Sequence, residues 1–344
     1  MQVYPFFIPH AGCPHRCCFC QQQQLSGQLT APSPEQVEVE LDSLLPEQGG
    51  GEIAFYGGSF TLLEPALQND YLCRVHPFVG YGRVAGIRIS TRPDAVDEPR
   101  VALLQQGGVT TVELGCQSFS AEVLVASHRG HGPEATGFAV PLLRARSLRI
   151  GLQLMPGLPG GGRREALQSL RCALDLQPDF LRIYPTVVLR DTLLEDDFRS
   201  GRYRPLELEE AVDLCAEMLW HCRQAGVPVI RLGLQASPLL TPERALVAGP
   251  YHPAFGALVR SRLWRRAIEG LAVARAETEL RLHSADLSDA LGQRRNNLSY
   301  LEERGRRLSI GCDSHMAREH FALNGQIYSV QAAAAFPPLS TLDY

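Results

Sequence analysis

Three cysteines near the start of the chain have the spacing of ligands to a metal centre. Cys13, Cys17 and Cys20 form a CxxxCxxC pattern directly after an apolar run that predicts a strand. A structural zinc site needs four protein ligands, so these three thiolates alone would leave it incomplete. The same thiolates are sufficient to bind three irons of a 4Fe-4S cubane and to leave the fourth iron open. The spacing therefore favours a cluster whose open iron can bind a small ligand.

Zinc binding is an alternative for this segment. His10, His15 or Cys18 would then supply the fourth ligand. For a cubane, Cys18 has the wrong spacing, and Cys116 lies where a small apolar residue would serve equally well. Four further cysteines lie on helical patterns and are expected in the core: Cys73, Cys172, Cys215 and Cys222.

The elements that must position the cysteines alternate along the chain. Apolar runs predict six strands: Val3–Ile8, Glu52–Tyr56, Gly86–Ser90, Thr110–Leu114, Arg149–Leu154 and Phe180–Tyr184. Amphipathic stretches predict helices, six of them before residue 226: Pro34–Leu45, Glu98–Gln106, Ala121–Ser127, Glu134–Arg146, Arg164–Leu176 and Leu206–Ala225. A short run at Pro228–Leu234 is a candidate for a seventh strand.

This alternation predicts an α/β fold, an open, partial (β/α)6 TIM-like barrel with a smaller C-terminal α+β extension. The functional residues of such a barrel are expected at the C-terminal ends of its strands. Because the pattern changes after Gln235, we expect a barrel domain over residues 1–235 and a C-terminal accessory region over residues 236–344. Helices are expected in that region near Gly256–Gly270 and Leu287–Glu303, with weaker strand signals at Arg307–Ile310 and Ile327–Val330.

Composition limits the function classes. The net charge of −4 indicates no overall basic field for nucleic acid, and all 33 basic residues are arginine. Without lysine, the chain cannot form a lysine Schiff base or use a lysine as a general base. The N-terminus lacks the features of a signal peptide, and no apolar run is long enough to span a membrane. We therefore expect a cytoplasmic protein with no membrane contact, whose cysteines are mostly reduced.

A family resemblance follows from the cysteines and from motifs farther along. The CxxxCxxC pattern, with the aromatic Phe19 before its last cysteine, resembles the signature of the radical S-adenosylmethionine (SAM) superfamily. One branch is similar over roughly residues 1–235, the predicted barrel. It contains the radical domain of the Elongator catalytic subunit and, more distantly, oxygen-independent coproporphyrinogen oxidase. The segments that carry the resemblance are Tyr56-Gly-Gly-Ser-Phe-Thr, Ser90-Thr-Arg-Pro-Asp, Glu113-Leu-Gly-Cys-Gln-Ser, Arg129-Gly-His, Met155-Pro-Gly-Leu-Pro-Gly and Arg182-Ile-Tyr-Pro.

The resemblance implies two cofactors, a 4Fe-4S cluster on the three cysteines and S-adenosylmethionine. Gly57 and Gly58 are implied to receive the methionyl amine, with Ser59 replacing an acidic residue of many superfamily members. Glycines permit close approach of the backbone to such a ligand. Phe19 is implied to pack on the adenine and to exclude water.

Polar residues at later strand ends are implied to bind the rest of the nucleotide. Ser90 and Gln117 would contact the ribose, and Arg129 would bind the methionine carboxylate through its two-pronged guanidinium. Gln153 occupies a position where the porphyrinogen oxidase has an acidic ribose contact. The alternatives are a surface arginine for Arg129 and a satisfied core glutamine for Gln153, while the position that matches Ser90 is acidic in the porphyrinogen oxidase.

The resemblance also implies an activity. An external donor, flavodoxin or ferredoxin, would reduce the cluster, and cleavage of S-adenosylmethionine would produce a radical that abstracts hydrogen from a substrate. A tRNA nucleoside is one candidate substrate, supported by Elongator and by the arginines at 260, 262, 265, 266, 294 and 295. A small tetrapyrrole-like metabolite is a second. The third hypothesis is a non-catalytic 4Fe-4S electron-transfer protein. The sequence does not assign a catalytic side chain.

Overall fold

A computed structural model describes residues 2–272 and 277–341. The chain divides into two compact units. The first unit is Met1–Pro205 with Ser237–Gly249, and the second unit is Leu206–Ala236 with Pro250–Tyr344.

Thirteen strands occur in the described ranges. Numbered β1–β13, they are Val3–Ile8, Glu52–Gly57, Gly86–Thr91, Val109–Gln117, Arg149–Leu154, Phe180–Ile183, Val188–Leu189, Val229–Leu232, Leu246–Ala248, Glu277–Leu282, Arg307–Cys312, His320–Leu323 and Gln326–Ser329.

The same ranges contain thirteen α-helices and a few single 3₁₀ turns. Numbered α1–α13, the helices are Gln22–Ser26, Pro34–Leu44, Pro65–Gly80, Glu98–Gln106, Ala121–Ala126, Glu134–Ala145, Arg163–Asp175, Leu193–Arg199, Leu208–Gln224, Phe255–Leu271, Leu287–Leu291, Asn296–Glu303 and Val330–Ala333. None of the helices in the part of the chain described here combines the length and apolar character needed to cross a bilayer.

Strands β1–β6 all lie in the first unit and pair in parallel in the order of the chain. Helices separate most of them in sequence, so the predicted α/β partial barrel is confirmed. Parallel strands covered on both faces carry continuous apolar runs. In β2, for example, Ile53, Ala54 and Phe55 are all fully buried.

Helix α2 forms where the sequence predicts it. The Ser33 hydroxyl accepts a hydrogen bond from the backbone N–H of Gln36, and the Gln36 side chain accepts one from the N–H of Ser33. This reciprocal capping box satisfies two donors at the start of the helix. Helix α3 was not predicted, because Pro77 lies inside it and its apolar residues do not follow a clear stripe.

The second unit contains the predicted smaller α+β extension. Its sheet has the strand order β11-β10-β12-β13, and α10 packs against α9. The single helix expected at Leu287–Glu303 is two helices, because Gly292, Arg294 and Arg295 adopt positive φ angles between them.

The compact units divide the chain differently from the expected boundary at residue 235. Residues 206–236 group with the C-terminal part, since α9 packs on α10. Residues 237–249 group with the first unit, since β9 pairs with β7.

One expectation about the cysteines is wrong. Cys73 is exposed and Cys172 only half-buried, because helical spacing alone does not give the direction of the core. Cys215 and Cys222 are buried as expected.

Charged side chains are buried between the strands of the first unit. Arg88 on β3 donates a hydrogen bond from Nε to Glu52 on β2 at 3.0 Å and from Nη1 to Glu113 on β4 at 2.6 Å. The side chains of these three residues are at most 5% exposed. Arg182 on β6 forms an ion pair with the other oxygen of Glu113. Two guanidinium groups thus balance two carboxylates, which makes their burial tolerable.

Hydroxyl and aromatic groups complete this network. Thr111 donates to Glu52 at 2.7 Å, and the Tyr56 hydroxyl donates to Glu113 at 3.4 Å. Burial, together with the nearby Glu113 carboxylate, raises the pKa of Tyr56 to about 12, so this hydroxyl stays protonated as a donor. The Arg182 guanidinium lies over the Tyr56 ring at 5.0 Å.

We predict that Glu113→Gln strongly destabilises the protein, because it removes the carboxylate charge that faces two buried guanidinium groups. The free energy of unfolding should fall by ~3–5 kcal/mol. Glu98→Gln is the matched control: its exposed pair with Arg146 spans 3.2 Å, and its loss should cost under about 1 kcal/mol. Urea unfolding of the metal-free protein, followed by circular dichroism, measures both. Equal midpoints for the two variants would contradict the assigned role of the network.

Candidate functional site

The three cysteines lie on the loop that follows β1. Hydrogen bonds between backbone groups fold this loop: Ala11 N–H donates to Ile8 at 3.2 Å, Cys13 N–H to His10 at 3.1 Å, and Cys20 N–H to Cys17 at 3.1 Å. The loop therefore turns at the carboxyl end of β1, where a barrel site is expected.

The loop packs directly on the Gly57-Gly58-Ser59 turn that follows β2. Gly58 N–H donates to the Ile8 carbonyl at 3.0 Å, and Ser59 N–H donates to the Ala11 carbonyl at 2.8 Å. A Cβ at Gly58 would collide with the Ala11 carbonyl oxygen. Glycine is thus required here for packing between two backbones, whether or not a ligand also approaches.

Arg129 connects the cysteine loop to the end of β4. Its Nη1 donates to the Cys17 sulfur at 3.2 Å, and its Nη2 donates to the Gly115 carbonyl at 2.6 Å. Its Nε is buried and has no hydrogen-bond partner among the described residues. This side chain thus joins the sulfur of a proposed metal ligand to the strand that ends at Gln117.

The cysteine thiols influence one another electrostatically. Burial, together with the neighbouring Cys17 and Cys13, raises the pKa of Cys20 to about 12, although Arg129 acts in the opposite direction. Three adjacent thiolates repel each other, so their joint deprotonation requires a bound cation. A cluster in which each thiolate binds a different iron would supply that cation.

The arrangement does not fit a single metal ion. Within residues 2–272 and 277–341, no group of three or more His, Cys, Asp or Glu side chains is placed to hold one ion. A cubane has no such requirement, because each cysteine binds a different iron. The candidate fourth zinc ligands have other contacts: His10 Nε2 accepts a hydrogen bond from the Gln22 N–H at 3.1 Å, and Cys18 is fully buried.

Cys18 and Phe19 belong to an apolar cluster. Cys18, Val188, Leu194 and Tyr203 form its buried centre, and the ring of Phe19 packs against it. Burial raises the pKa of Cys18 to about 12, which keeps it a thiol. Phe19, within the cysteine loop, is thus held by packing against this cluster.

The structure brings two of the predicted nucleotide contacts together. Gln117 ends β4 with a φ of 70°, and its Oε1 accepts a hydrogen bond from Gln153 on β5 at 3.1 Å. The Gln117 carbonyl also accepts the Met155 N–H at 2.8 Å. Ser90 is half-buried on β3, on the same face as Arg88, because side chains alternate along a strand. The Ser59 hydroxyl lies 3.5 Å from the Cys13 sulfur.

Two features of the site were missed by sequence reasoning. Gln22 bridges the site, since its side chain donates to the Gly57 carbonyl at 3.2 Å and accepts from the N–H of His10. The run of four glutamines at 21–24 was too short to draw attention. Glu113 and Arg182 lie inside recognised motifs, but their pairing across β4 and β6 depends on strand order.

Two sequence profiles match the chain. The profile described as "Radical SAM superfamily" matches residues 7–173, and that described as "Radical_SAM C-terminal domain" matches residues 178–265. The chain belongs to the radical SAM superfamily. Together the matched ranges include the end of β1, the cysteine loop, all of β2–β6 and α9, and the first part of α10, so the resemblance recognised in the motifs is confirmed.

Known relatives agree with this assignment. The tRNA uridine(34) acetyltransferase of Methanocaldococcus infernus is 34% identical over 135 residues, which cover 38% of this chain and 25% of that protein. The matched segment therefore spans about a quarter of the length of this relative.

Two solved structures share the fold. The archaeal Methanocaldococcus infernus Elp3 has a TM-score of 0.61 at 23% identity, covering 76% of this chain and 62% of that one. Escherichia coli coproporphyrinogen III oxidase, described as a radical SAM enzyme, has a TM-score of 0.50 at 20% identity, covering 65% and 52%.

We predict that Gly58→Ala impairs metal loading of the loop. The added Cβ collides with the Ala11 carbonyl, so the loop that carries Cys13 must shift. Iron content after anaerobic reconstitution should fall well below that of the wild type, while circular dichroism stays unchanged. Gly137→Ala is the control, since a Cβ there meets no atom within 4 Å. Full iron loading of the Gly58 variant would show that the close packing does not shape the site.

Proposed function

We propose that the chain is a radical SAM enzyme that binds a 4Fe-4S cluster at Cys13, Cys17 and Cys20. The observation that carries the proposal is the contact of the Arg129 guanidinium with the Cys17 sulfur, inside a loop of three mutually interacting thiols. Superfamily membership supports the same reading. When bound, the reduced cluster and S-adenosylmethionine supply a carbon radical that removes a hydrogen atom from a substrate.

The protein's own residues would bind and orient S-adenosylmethionine. Gly57, Gly58 and Ser59 offer backbone and hydroxyl groups to the methionyl amine. Gln117 and Gln153, hydrogen-bonded to each other at 3.1 Å, would present amides to the ribose, with Ser90 on the strand beside β4.

Arg129 and Phe19 complete the proposed cofactor set. The Nε of Arg129 has no hydrogen-bond partner among the described residues, and Nη1 and Nη2 each carry a second N–H besides those that contact Cys17 and Gly115, so Nε and one of these N–H groups would bind the carboxylate with two prongs. Phe19 excludes water, which protects a reactive radical from quenching. We further propose a cytoplasmic location, where flavodoxin or ferredoxin is the electron donor.

We predict that Cys17→Ala abolishes cluster binding and Cys18→Ala does not. Cys17 is a proposed iron ligand, whereas Cys18 belongs to the apolar cluster. After anaerobic reconstitution, dithionite and S-adenosylmethionine should yield 5′-deoxyadenosine with the wild type and the Cys18 variant, but not with the Cys17 variant. A fully loaded wild type that neither binds nor cleaves S-adenosylmethionine would overturn the proposed function.

For the substrate, we propose a nucleoside of tRNA. The relative named a tRNA uridine(34) acetyltransferase supports this class, although the aligned segment is only 25% of that protein. Most of the arginines expected to contact RNA are used within the second unit. Arg260 pairs with Asp289 at 2.8 Å, and Arg262 is buried against Glu209. The Arg265 guanidinium lies over the Tyr300 ring at 4.1 Å.

Arg294 and Arg295 remain available for phosphate contacts. Both are exposed, both have positive φ angles, and neither forms an ion pair within the described part of the chain. Residues other than glycine rarely adopt this conformation, so the surrounding structure must hold it. The buried Asn297, two residues farther on, anchors the start of α12 by donating to the Ser261 and Ala290 carbonyls, each at 3.0 Å.

We predict that the double change Arg294→Asn and Arg295→Asn weakens tRNA binding. Asparagine tolerates positive φ, so the backbone should be preserved. The slope of log affinity against log salt should become shallower by roughly one for each lost phosphate contact. Arg307→Asn, at another exposed arginine of the second unit, is the control. Salt-independent or absent tRNA binding by the wild type would instead favour a small-molecule substrate.

A further inference from the structure

The cysteine loop borders a groove that the proposed cofactor contacts do not use. His15 and Arg16 come from the loop, Val125 from α5, and His128 and His131 from the segment between α5 and α6. The groove is open and has a volume of about 640 Å³. We call it the Arg16 groove.

The Arg16 groove is adjacent to a proposed iron ligand by two routes. Arg16 directly precedes Cys17 in the chain. Arg129, flanked by the groove residues His128 and Gly130, donates to the Cys17 sulfur at 3.2 Å. The two segments are also joined by the Cys18 N–H, which donates to the Ser127 carbonyl at 3.2 Å.

Within the Arg16 groove, the His15 ring lies close to Gly130. Gly130 has a φ of 73°, and a Cβ at that position would collide with the ring of His15. The His15 ring is therefore seated on the backbone of the residue that follows Arg129. Through Gly130, this side of the groove is one residue along the chain from Arg129, which contacts the Cys17 sulfur.

The surface chemistry of the groove suits a protein partner. Val125 is 75% exposed, and Arg16 is exposed without an ion pair in the described ranges. No acidic residue lines the groove, although the Glu134 carboxylate lies beside Gly132 at one end. Arginine is enriched at protein interfaces, and the exposed Val125 adds apolar surface to the same groove. An RNA backbone would instead need several cations, because its affinity comes from neutralising successive phosphates.

We propose that the Arg16 groove docks the acidic electron-transfer protein that reduces the cluster. The inference rests on the proposed function, because only a cluster enzyme needs such a partner. The donor loses one electron and the cluster gains it, and no covalent bond or proton is exchanged. Arg16 supplies charge complementarity to an acidic donor, and Val125 supplies apolar contact.

The test uses flavodoxin as the probe. Binding of oxidised flavodoxin to the reconstituted enzyme is measured by fluorescence anisotropy, which needs no turnover. We expect Arg16→Glu to weaken binding by about tenfold or more, because it reverses a charge at the interface. Val125→Asp, which lies outside the cysteine loop, should weaken it several-fold. Glu134→Gln should strengthen it, because it removes a carboxylate from the edge of the groove.

Controls separate docking from damage to the cluster. Val39→Asp, at a valine that is 71% exposed on α2, should leave flavodoxin binding unchanged. With dithionite as reductant, all of these variants should cleave S-adenosylmethionine at the wild-type rate, since dithionite needs no docking surface. Flavodoxin-driven cleavage should fall in the Arg16 and Val125 variants alone.

Each other outcome has a defined meaning. Wild-type flavodoxin binding by both the Arg16 and the Val125 variants overturns the docking proposal. An equal loss with dithionite and with flavodoxin assigns Arg16 to the cluster loop and also overturns it. If the Arg16 and Val125 variants bind tRNA more weakly but bind flavodoxin as the wild type does, the groove is an RNA-binding surface. A wild type that binds flavodoxin but cannot cleave S-adenosylmethionine refutes the proposed function while leaving the docking surface supported.

Discussion

The cysteine loop and the turn after β2 meet backbone to backbone, and the rest of the candidate site depends on that contact. Gly58 has no room for a side chain against the Ala11 carbonyl, and the Ser59 N–H donates to the same carbonyl at 2.8 Å. Because β1 and β2 are adjacent parallel strands, their carboxyl ends bring these two segments together. A loop held in this way can present three thiols at one end of the sheet without support from a metal.

In the first unit, charged side chains have different partners between the strands and at the strand ends. Between the strands, Arg88 and Arg182 neutralise Glu52 and Glu113, so this layer is closed and balanced. At the strand ends, Arg129 faces sulfur rather than a carboxylate, and one of its N–H groups has no partner. The charge-neutral network between the strands stabilises the barrel. The Arg129 guanidinium and the cysteine thiols at the strand ends can still bind anionic and metal groups.

Much of this architecture could be predicted from the sequence, because parallel strands are short apolar runs with a clear period. All six barrel strands begin within a residue of their expected positions. Helix α3 was missed, since Pro77 and a weak stripe obscure it. The split at Gly292 was missed because positive φ angles at two consecutive arginines contradict their ordinary preference. Contacts that depend on strand order, such as Arg182 with Glu113, and those made by Gln22 have no local signal.

The central claim is that Cys13, Cys17 and Cys20 hold a 4Fe-4S cluster with one open iron. Electron paramagnetic resonance of the reduced, reconstituted protein, recorded with and without S-adenosylmethionine, tests it most directly. We expect about four irons per chain and a spectrum that changes when S-adenosylmethionine binds the open iron. A fully loaded cluster whose spectrum is unaffected by saturating S-adenosylmethionine would contradict it.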